Sequence, residues 1–148
     1  MVPDQIEREI RIDAPVERVW DVITQGAHVG KWFGDVTAEI DLRPGGRFTC
    51  TWAEHGTVIG IVERVERPRV FAYRWARPIG AEVQPGNSTL VEFMLVPDGK
   101  GTRLRVVESG FRDLDLTDEE RAKYAAGNVE GWKSELNELA GYLAMQAA

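Results

Sequence analysis

Cysteine, histidine and long apolar runs are scarce in this chain of 148 residues. The single cysteine, Cys50, excludes an internal disulfide. The two histidines, His28 and His55, are too far apart in the sequence to form a zinc site of familiar spacing. The sequence therefore predicts neither a metal site nor a bound cofactor.

Positive charge is also in deficit, because 18 Lys and Arg residues stand against 24 Asp and Glu residues, a net charge of −6. A general nucleic-acid binder needs a basic surface, and so does a protein held on an anionic membrane by charge. The longest strongly apolar run, residues 58–62, is too short to cross a bilayer. No signal peptide is evident. We therefore expect a cytoplasmic protein, a monomer or homodimer, that binds no nucleic acid and spans no membrane.

Tryptophan is abundant, with five residues in this short chain. The ring is bulky, and its N–H group needs a hydrogen-bond partner when it is buried. Hydrophobic residues make up 43% of the chain, which is enough for a packed core. The sequence therefore predicts one domain over residues 1–148, with a wide interior or a cavity lined by aromatic rings.

Short segments of alternating polarity, separated by Gly and Pro, fill most of the chain. The sequence predicts a strand over Gln5–Ile12, a helix over residues 15–24 with Asp13 as its N-cap, and a short helix over residues 27–32. Alternation then predicts six further strands. They are residues 36–42, a strand with Phe48, Cys50 and Trp52, residues 57–66, a strand with Phe71, Tyr73 and Trp75, one with Val91, Phe93 and Leu95, and one with Leu104, Val106 and Glu108.

A long helix ends the predicted order. Thr117 and Glu120 have the spacing of a capping box, and the helical pattern continues to about residue 145. About 28 residues at 1.5 Å each give a helix of roughly 42 Å, which needs a broad surface to cover its apolar stripe. Short turns make the strands antiparallel. We therefore expect an α+β fold in which a curved antiparallel sheet wraps around one long helix.

The residues carry a family pattern that runs in order along nearly the whole chain. Its segments are residues 14–15 with 19–20, residues 31–34, residues 41–48, residues 109–111, and Gly131 and Trp132 followed by Leu136, Leu139, Tyr142 and Leu143. With these segments the chain resembles the activator-of-Hsp90-ATPase-homologue-like family of the START-related (SRPBCC, helix-grip) superfamily. The resemblance implies a sheet of about six to seven strands, two short helices after the first strand, and a cavity between the sheet and the C-terminal helix for an apolar small molecule.

Two residues on the predicted inward face are unlike ordinary core residues. Glu108 is ionisable, and such groups are rarely fully buried unless they are paired. Tyr73 has a polar tip. Aromatic walls with a few converging polar groups are typical of small-ligand sites. The expected ligand-binding residues are Phe33, Phe48, Trp52, Tyr73, Trp75, Phe93, Val106, Glu108 and Trp132, and the expected partners of Glu108 are the ring N–H of Trp52 or Trp132, Tyr73, Arg47 or Arg74.

Several other residues have a structural and a functional interpretation. The helical glycines Gly127 and Gly131 either pack closely on a strand or leave room for a ligand. Cys50 is expected to be a buried inert thiol. His55 lies in a turn, solvated or at the cavity mouth, and His28 is expected to be exposed. The arginines Arg64, Arg67, Arg69, Arg103 and Arg105 are expected on a solvated outer face, interleaved with glutamates.

Three functions stay open at this point. The first is non-catalytic binding of an apolar or amphipathic small molecule, a lipid or an aromatic, polyketide-like compound. The second is a cyclase or dehydratase acting on polyketide-like substrates, with Glu108 and Tyr73 as acid and base. The third is a co-chaperone-like module that binds Hsp90. No base and nucleophile pair accompanies Glu108 in the sequence, so no catalytic residue is assigned.

Overall fold

The computed structural model describes residues 2–147, and their side chains through residue 145. Three helices and seven strands follow each other in the order that the sequence predicts. They are β1 (Gln5–Ile12), α1 (Val16–Thr24), α2 (Gly26–Trp32), β2 (Thr37–Ile40), β3 (Arg47–Trp52), β4 (Gly56–Glu66), β5 (Val70–Ala76), β6 (Ser88–Asp98), β7 (Gly101–Ser109) and α3 (Asp118–Ala147), with one 3-10 turn (Phe111–Asp113) before α3.

All seven strands form one antiparallel sheet in the order β1-β7-β6-β5-β4-β3-β2. Strands β2 to β7 pair with their neighbours in the sequence, and β1 closes against β7. The two short helices thus connect one edge of the sheet to the other. The predicted helix-grip arrangement, with a curved sheet and a long terminal helix, is confirmed.

Glycine permits the close approach of α2 to β2. A Cβ added at Gly26 would lie 2.5 Å from the carbonyl oxygen of Ala38. Gly60 permits a second close approach, between β4 and β5, because a Cβ there would lie 2.3 Å from the carbonyl oxygen of Arg74. The β-bulge of β4 falls further along, between Val62 and Arg64. The contact at Gly26 brings the start of α2 directly against β2.

The predicted N-cap of α1 is wrong. Pro15 precedes the helix in an extended conformation, and no side chain caps it. The carboxylate of Asp13 lies 3.4 Å from a guanidinium nitrogen of Arg11 and is 93% exposed. Pro15 at the boundary has a fixed φ that suits a helix start. The helix is held by its buried face, which includes Val19, Trp20 and Ile23.

Helix α3 begins with the predicted capping box. The Thr117 hydroxyl accepts a hydrogen bond from the Glu120 backbone N–H at 3.1 Å, and the Glu120 carboxylate accepts one from the Thr117 N–H at 3.0 Å. The inner stripe contains Trp132, Leu136, Leu139 and Leu143, all buried. Of the neighbouring residues Asn128 and Val129, Val129 is 46% exposed, whereas Asn128 lies on the inner side and donates a hydrogen bond to Glu108.

The outer face of the sheet is laced with ion pairs, as predicted. Arg105 pairs with Glu7 and Arg64 with Glu66, and all four side chains are about half exposed. Exposed pairs of this kind contribute little to stability, because solvent screens them. Among the described helices, none has both the length and the apolar character needed to cross a membrane.

Candidate functional site

A cleft of about 410 Å³ opens between α3, the β3–β4 turn and the loop after β5. A second hollow of about 380 Å³ adjoins it along the loop after β5 and shares four of its lining residues. Small-ligand sites usually have volumes of about 300–1,000 Å³. The cleft is lined by Phe33, Trp52, His55, Trp75, Ile79, Asn128, Gly131, Trp132 and Glu135.

Aromatic rings form the wall of the cleft. The rings of Phe33, Trp75 and Trp132 are stacked on one another, with centroids 5.5–5.7 Å apart and planes 10–24° apart. The Trp52 ring meets Phe33 edge-on, at 71° and 5.1 Å. Three rings therefore share one orientation, and the fourth stands nearly upright against them. This corner is a suitable surface for an apolar or aromatic ligand.

Glu108 lies behind this wall and fixes two of its rings. Its side chain is fully buried, at 0% exposure. Trp75 donates its ring N–H to Oε2 at 3.0 Å, and Trp132 donates to Oε1 at 2.9 Å. Thr89 donates its hydroxyl to Oε2, and Asn128 donates its amide N–H to Oε1 at 2.9 Å. The carboxyl group therefore orients Trp75 and Trp132, two of the four aromatic residues that line the cleft.

The expected partners of Glu108 were only partly right. The Trp132 N–H is confirmed as a donor. Arg47 instead pairs with Glu82 at 3.0 Å, and Arg74 with Glu63 at 3.2 Å. Among the ion pairs of the described residues, none includes Glu108, so neutral donors surround it. Glu108 is buried behind the rings and is not among the residues that line the cleft.

Three of these donors were missed as partners of Glu108: Trp75, Thr89 and Asn128. The sequence contains a signal for the last two. Thr89 lies on the inward alternation of β6, two residues before Val91, and directly opposite Trp75 in the β5–β6 register. Asn128 lies one helical turn before Trp132, on the same face of α3. Reading these signals requires the register of β5 against β6 for Thr89 and the rotation of α3 about its axis for Asn128. The alternation of polar and apolar residues gives neither.

The remaining predicted residues lie deeper in the core. The rings of Phe48 and Tyr73 are stacked 4.2 Å apart, and Tyr73 lies 6.3 Å from Phe93. These residues and Val106 are buried and are not among the residues that line the cleft. Burial, and then the charge of Glu108, raises the pKa of Tyr73 well above its usual value. Its phenol therefore stays protonated.

Glu135 was not predicted, yet it lines the cleft on α3, three residues after Trp132. Burial, and then Glu138 and Asp35, raises the pKa of Glu135 to about 7. Its Oε2 is sheltered from solvent, and no described residue donates a hydrogen bond to it. A buried acceptor without a donor costs about 1–3 kcal/mol.

The helical glycines do not pack closely on a strand. A Cβ added at Gly127 or at Gly131 would meet no atom within 4 Å. The packing interpretation of these two glycines is therefore wrong. Gly131 lines the cleft, so the absence of a side chain there leaves the cleft open, and Gly127 is exposed elsewhere on the helix.

The histidines and the cysteine are also placed. His55 is exposed and lines the cleft. The expected exposure of His28 is wrong, because it is half-buried with Nδ1 2.6 Å from the Tyr142 hydroxyl. Cys50 is buried, as expected, and burial raises its pKa to about 12, which leaves an inert thiol. Across the described residues, no three His, Cys, Asp or Glu side chains are grouped to hold a metal ion.

Solved structures similar to this chain have the same fold. Protein MLL2253 from Mesorhizobium loti is 24% identical, with a TM-score of 0.79, and the match covers 95% of this chain and 97% of that protein. CalU16 from Micromonospora echinospora is 25% identical, with a TM-score of 0.73, over 97% and 78%. DynU16, from the dynemicin biosynthetic locus, is 23% identical, with a TM-score of 0.74, over 96% and 48%.

A search of curated proteins found no match to this sequence. The family resemblance is shown instead by a family model, which matches residues 13–144. That range contains both short helices, β2 to β7 and nearly all of α3, and it includes every residue that lines the cleft. The chain belongs to the family of Activator of Hsp90 ATPase homolog 1-like proteins.

Proposed function

We propose that this protein binds an apolar or amphipathic small molecule with an aromatic body in the cleft between the sheet and α3. One observation carries the proposal. Two of the cleft's rings, Trp75 and Trp132, donate their N–H groups backwards to the buried Glu108. The polar edges of these rings are therefore satisfied inside the protein, and the cleft presents apolar ring surface.

The composition of the cleft supports the same conclusion. Rings and the Ile79 side chain form most of the lining, and the polar groups are few: His55, Asn128 and Glu135. An apolar surface with a few placed polar groups suits a ligand that is mostly apolar and is oriented by one or two hydrogen bonds. At Gly131 the helix has no side chain that would occupy this space.

The two other functions lack an observation of this kind. An enzyme that used Glu108 and Tyr73 would need both groups at the substrate, and both are buried behind the ring wall. The chaperone-binding hypothesis rests on the family name, whereas the cleft is a feature of this chain. DynU16 comes from a biosynthetic locus, but its likeness supports the fold alone. A cytoplasmic location and a monomeric or homodimeric state stay predictions from the sequence.

A pair of matched variants tests the proposal. Gly131→Leu places a side chain in the cleft, and Gly127→Leu places the same side chain on the exposed part of the same helix. Neither Cβ meets an atom within 4 Å. Each substitution removes a helical glycine, which favours the helix by about 1 kcal/mol. Both variants are therefore expected to fold, and they differ at the cleft.

The measurement is a thermal-shift and tryptophan-fluorescence screen with a library of lipids and aromatic compounds. Ligands are expected to raise the melting temperature of the wild type and of Gly127→Leu, and to leave Gly131→Leu unchanged. Trp132→Phe is expected to remove much of the fluorescence response. If the same compounds bind Gly131→Leu as tightly as the wild type, or if no compound in the library binds, the proposal is wrong.

A further inference from the structure

Glu135 is the one acidic residue among those that line the cleft, and no lysine or arginine is found among them. Its Oε2 is shielded from solvent without a donor from any described residue. The two charges that shift its pKa have the same sign: Glu138 on α3 and Asp35 after α2 both oppose its ionisation. Within the cleft, this carboxylate therefore has no positive partner.

The ring wall beside Glu135 has a complementary property. The faces of aromatic rings are electron-rich and attract cations, most strongly in tryptophan. Three tryptophans and a phenylalanine line the same cleft as this carboxylate. The adjoining hollow already contains such a contact, because the Arg77 guanidinium lies 4.7 Å from the centre of the Tyr124 ring. Carboxylate and rings together favour a positive group.

We propose that the ligand of the cleft carries a protonated amine, which Glu135 pairs with while its apolar body lies against the tryptophan wall. This proposal rests on the proposed function and names its ligand class. A hydroxyl would satisfy the free carboxylate oxygen but would gain little from the ring faces. A carboxylate would be repelled by Glu135, by Asp35 and Glu138 near it, and by a net charge of −6.

The proposal includes a pH dependence. Burial, Glu138 and Asp35 hold the pKa of Glu135 at about 7, so its charge increases as the pH rises through that value. An alkyl amine, with a pKa near 10, stays protonated over this range. Affinity for the amine is therefore expected to increase between about pH 6 and pH 8. His55 also lines the cleft, so the pH titration of binding is repeated in the His55→Gln variant. Glu135 contributes to the raised pKa of Cys50, and this thiol stays neutral over the same pH range.

Three probes with the same apolar body test the ligand class by calorimetry: naphthylethylamine, naphthylethanol and naphthylacetate. The wild type is expected to bind the amine about tenfold more tightly than the alcohol at pH 8, and the acid most weakly. Glu135→Gln is expected to remove the preference for the amine and its pH dependence. Glu130→Gln, an equal charge change at an exposed position of the same helix, is expected to retain both.

The outcomes separate this proposal from the one on which it rests. If the amine and the alcohol bind the wild type equally and Gly131→Leu loses both, the cleft binds ligands but the amine proposal is wrong. A preference for the amine that persists in Glu135→Gln also overturns it, as does a wild type that does not bind the amine. If all three probes bind Gly131→Leu as they bind the wild type, the cleft is not the site and both proposals fail.

Discussion

The space between the sheet and α3 has two parts, and both are built mainly from aromatic and aliphatic side chains. In the packed interior, Phe48, Tyr73 and Phe93 stack on one another and are buried. In the open cleft, Phe33, Trp75 and Trp132 stack in the same manner, but they border a cavity of about 410 Å³. The two parts differ at Gly131, which lines the cleft and has no side chain to fill it.

The two carboxyl groups of this region show the same contrast. Glu108, in the packed part, accepts hydrogen bonds from Trp75, Trp132, Thr89 and Asn128. Glu135, in the open part, has an oxygen for which no described residue provides a donor. A fully bonded carboxyl group holds a structure together. A carboxyl group with a free acceptor in a cavity is available for recognition, and this distinction is the basis of the predictions below.

The largest effect on stability is expected in the packed interior. Leu136 is fully buried on α3, and Leu136→Ala should leave a cavity and lower the free energy of unfolding by about 2–5 kcal/mol. Ligand affinity should change little, because Leu136 does not line the cleft. Urea denaturation and a binding titration check the two parts. A folded variant that loses binding as completely as Gly131→Leu would show that the two regions do not act separately.

The next effect concerns the carboxyl group between the two regions. Glu108→Gln keeps the shape but replaces one acceptor oxygen with a donor that faces other donors. The free energy of unfolding should fall by about 1–3 kcal/mol, and the near-ultraviolet circular dichroism of the tryptophans should change. Glu7→Gln, at an exposed ion pair with Arg105, should cost much less, because solvent screens that pair. Equal losses in the two variants would contradict the positioning role of Glu108.

A smaller effect, of opposite sign, is expected at the helical glycines. Gly127→Ala and Gly131→Ala should each raise the free energy of unfolding by about 1 kcal/mol, because neither Cβ meets an atom. Thermal denaturation measures this gain. If Gly131→Ala also weakens ligand binding and Gly127→Ala does not, the cleft is distinguished from the rest of the helix by function as well as by structure. A loss of stability at Gly131 would restore the packing interpretation.

The last effect is a pH dependence of stability. The pKa of Glu135 is raised from 4.5 to about 7 in the folded protein, so the folded state binds the proton more tightly than the unfolded state. This contribution to stability is fully present below pH 4.5 and is lost as the pH rises to about 7. Compared with the wild type, Glu135→Gln should lose less stability between these values in urea denaturation at a series of pH values. Parallel curves for the two proteins would mean that Glu135 is not perturbed.

The fold was predictable because local patterns and the global arrangement agree. Phe71, Tyr73 and Trp75 alternate with side chains of the other face over a whole strand, and Thr117 and Glu120 mark the start of α3. A cap such as the one predicted at Asp13 is weaker evidence. One hydrogen bond decides it, and an exposed aspartate has alternatives such as Arg11.

The site was less predictable because it depends on relations between elements. Trp75 and Glu108 lie on β5 and β7, separated by β6, and only the register brings them together. On α3, successive residues differ by about 100° in direction, so the choice between Asn128 and Val129 needs the helix rotation. For the same reason, the sequence did not identify Glu135 as a residue that lines the cleft. The alternation of polar and apolar residues identified the aromatic rings. The polar groups that hold the rings, or that line the cleft, could be identified only from the three-dimensional structure.

The central claim is that a small molecule binds against Trp75 and Trp132 and not elsewhere in the protein. The ring N–H groups of the five tryptophans give separate signals in a two-dimensional NMR spectrum, assigned by Trp→Phe variants. Titration with the compound that most stabilises the protein should move the signals of Trp75 and Trp132. Those of Trp20 and Trp32, which are not among the residues that line the cleft, should stay in place. Shifts at Trp20 and Trp32, with Trp75 and Trp132 unchanged, would contradict the account.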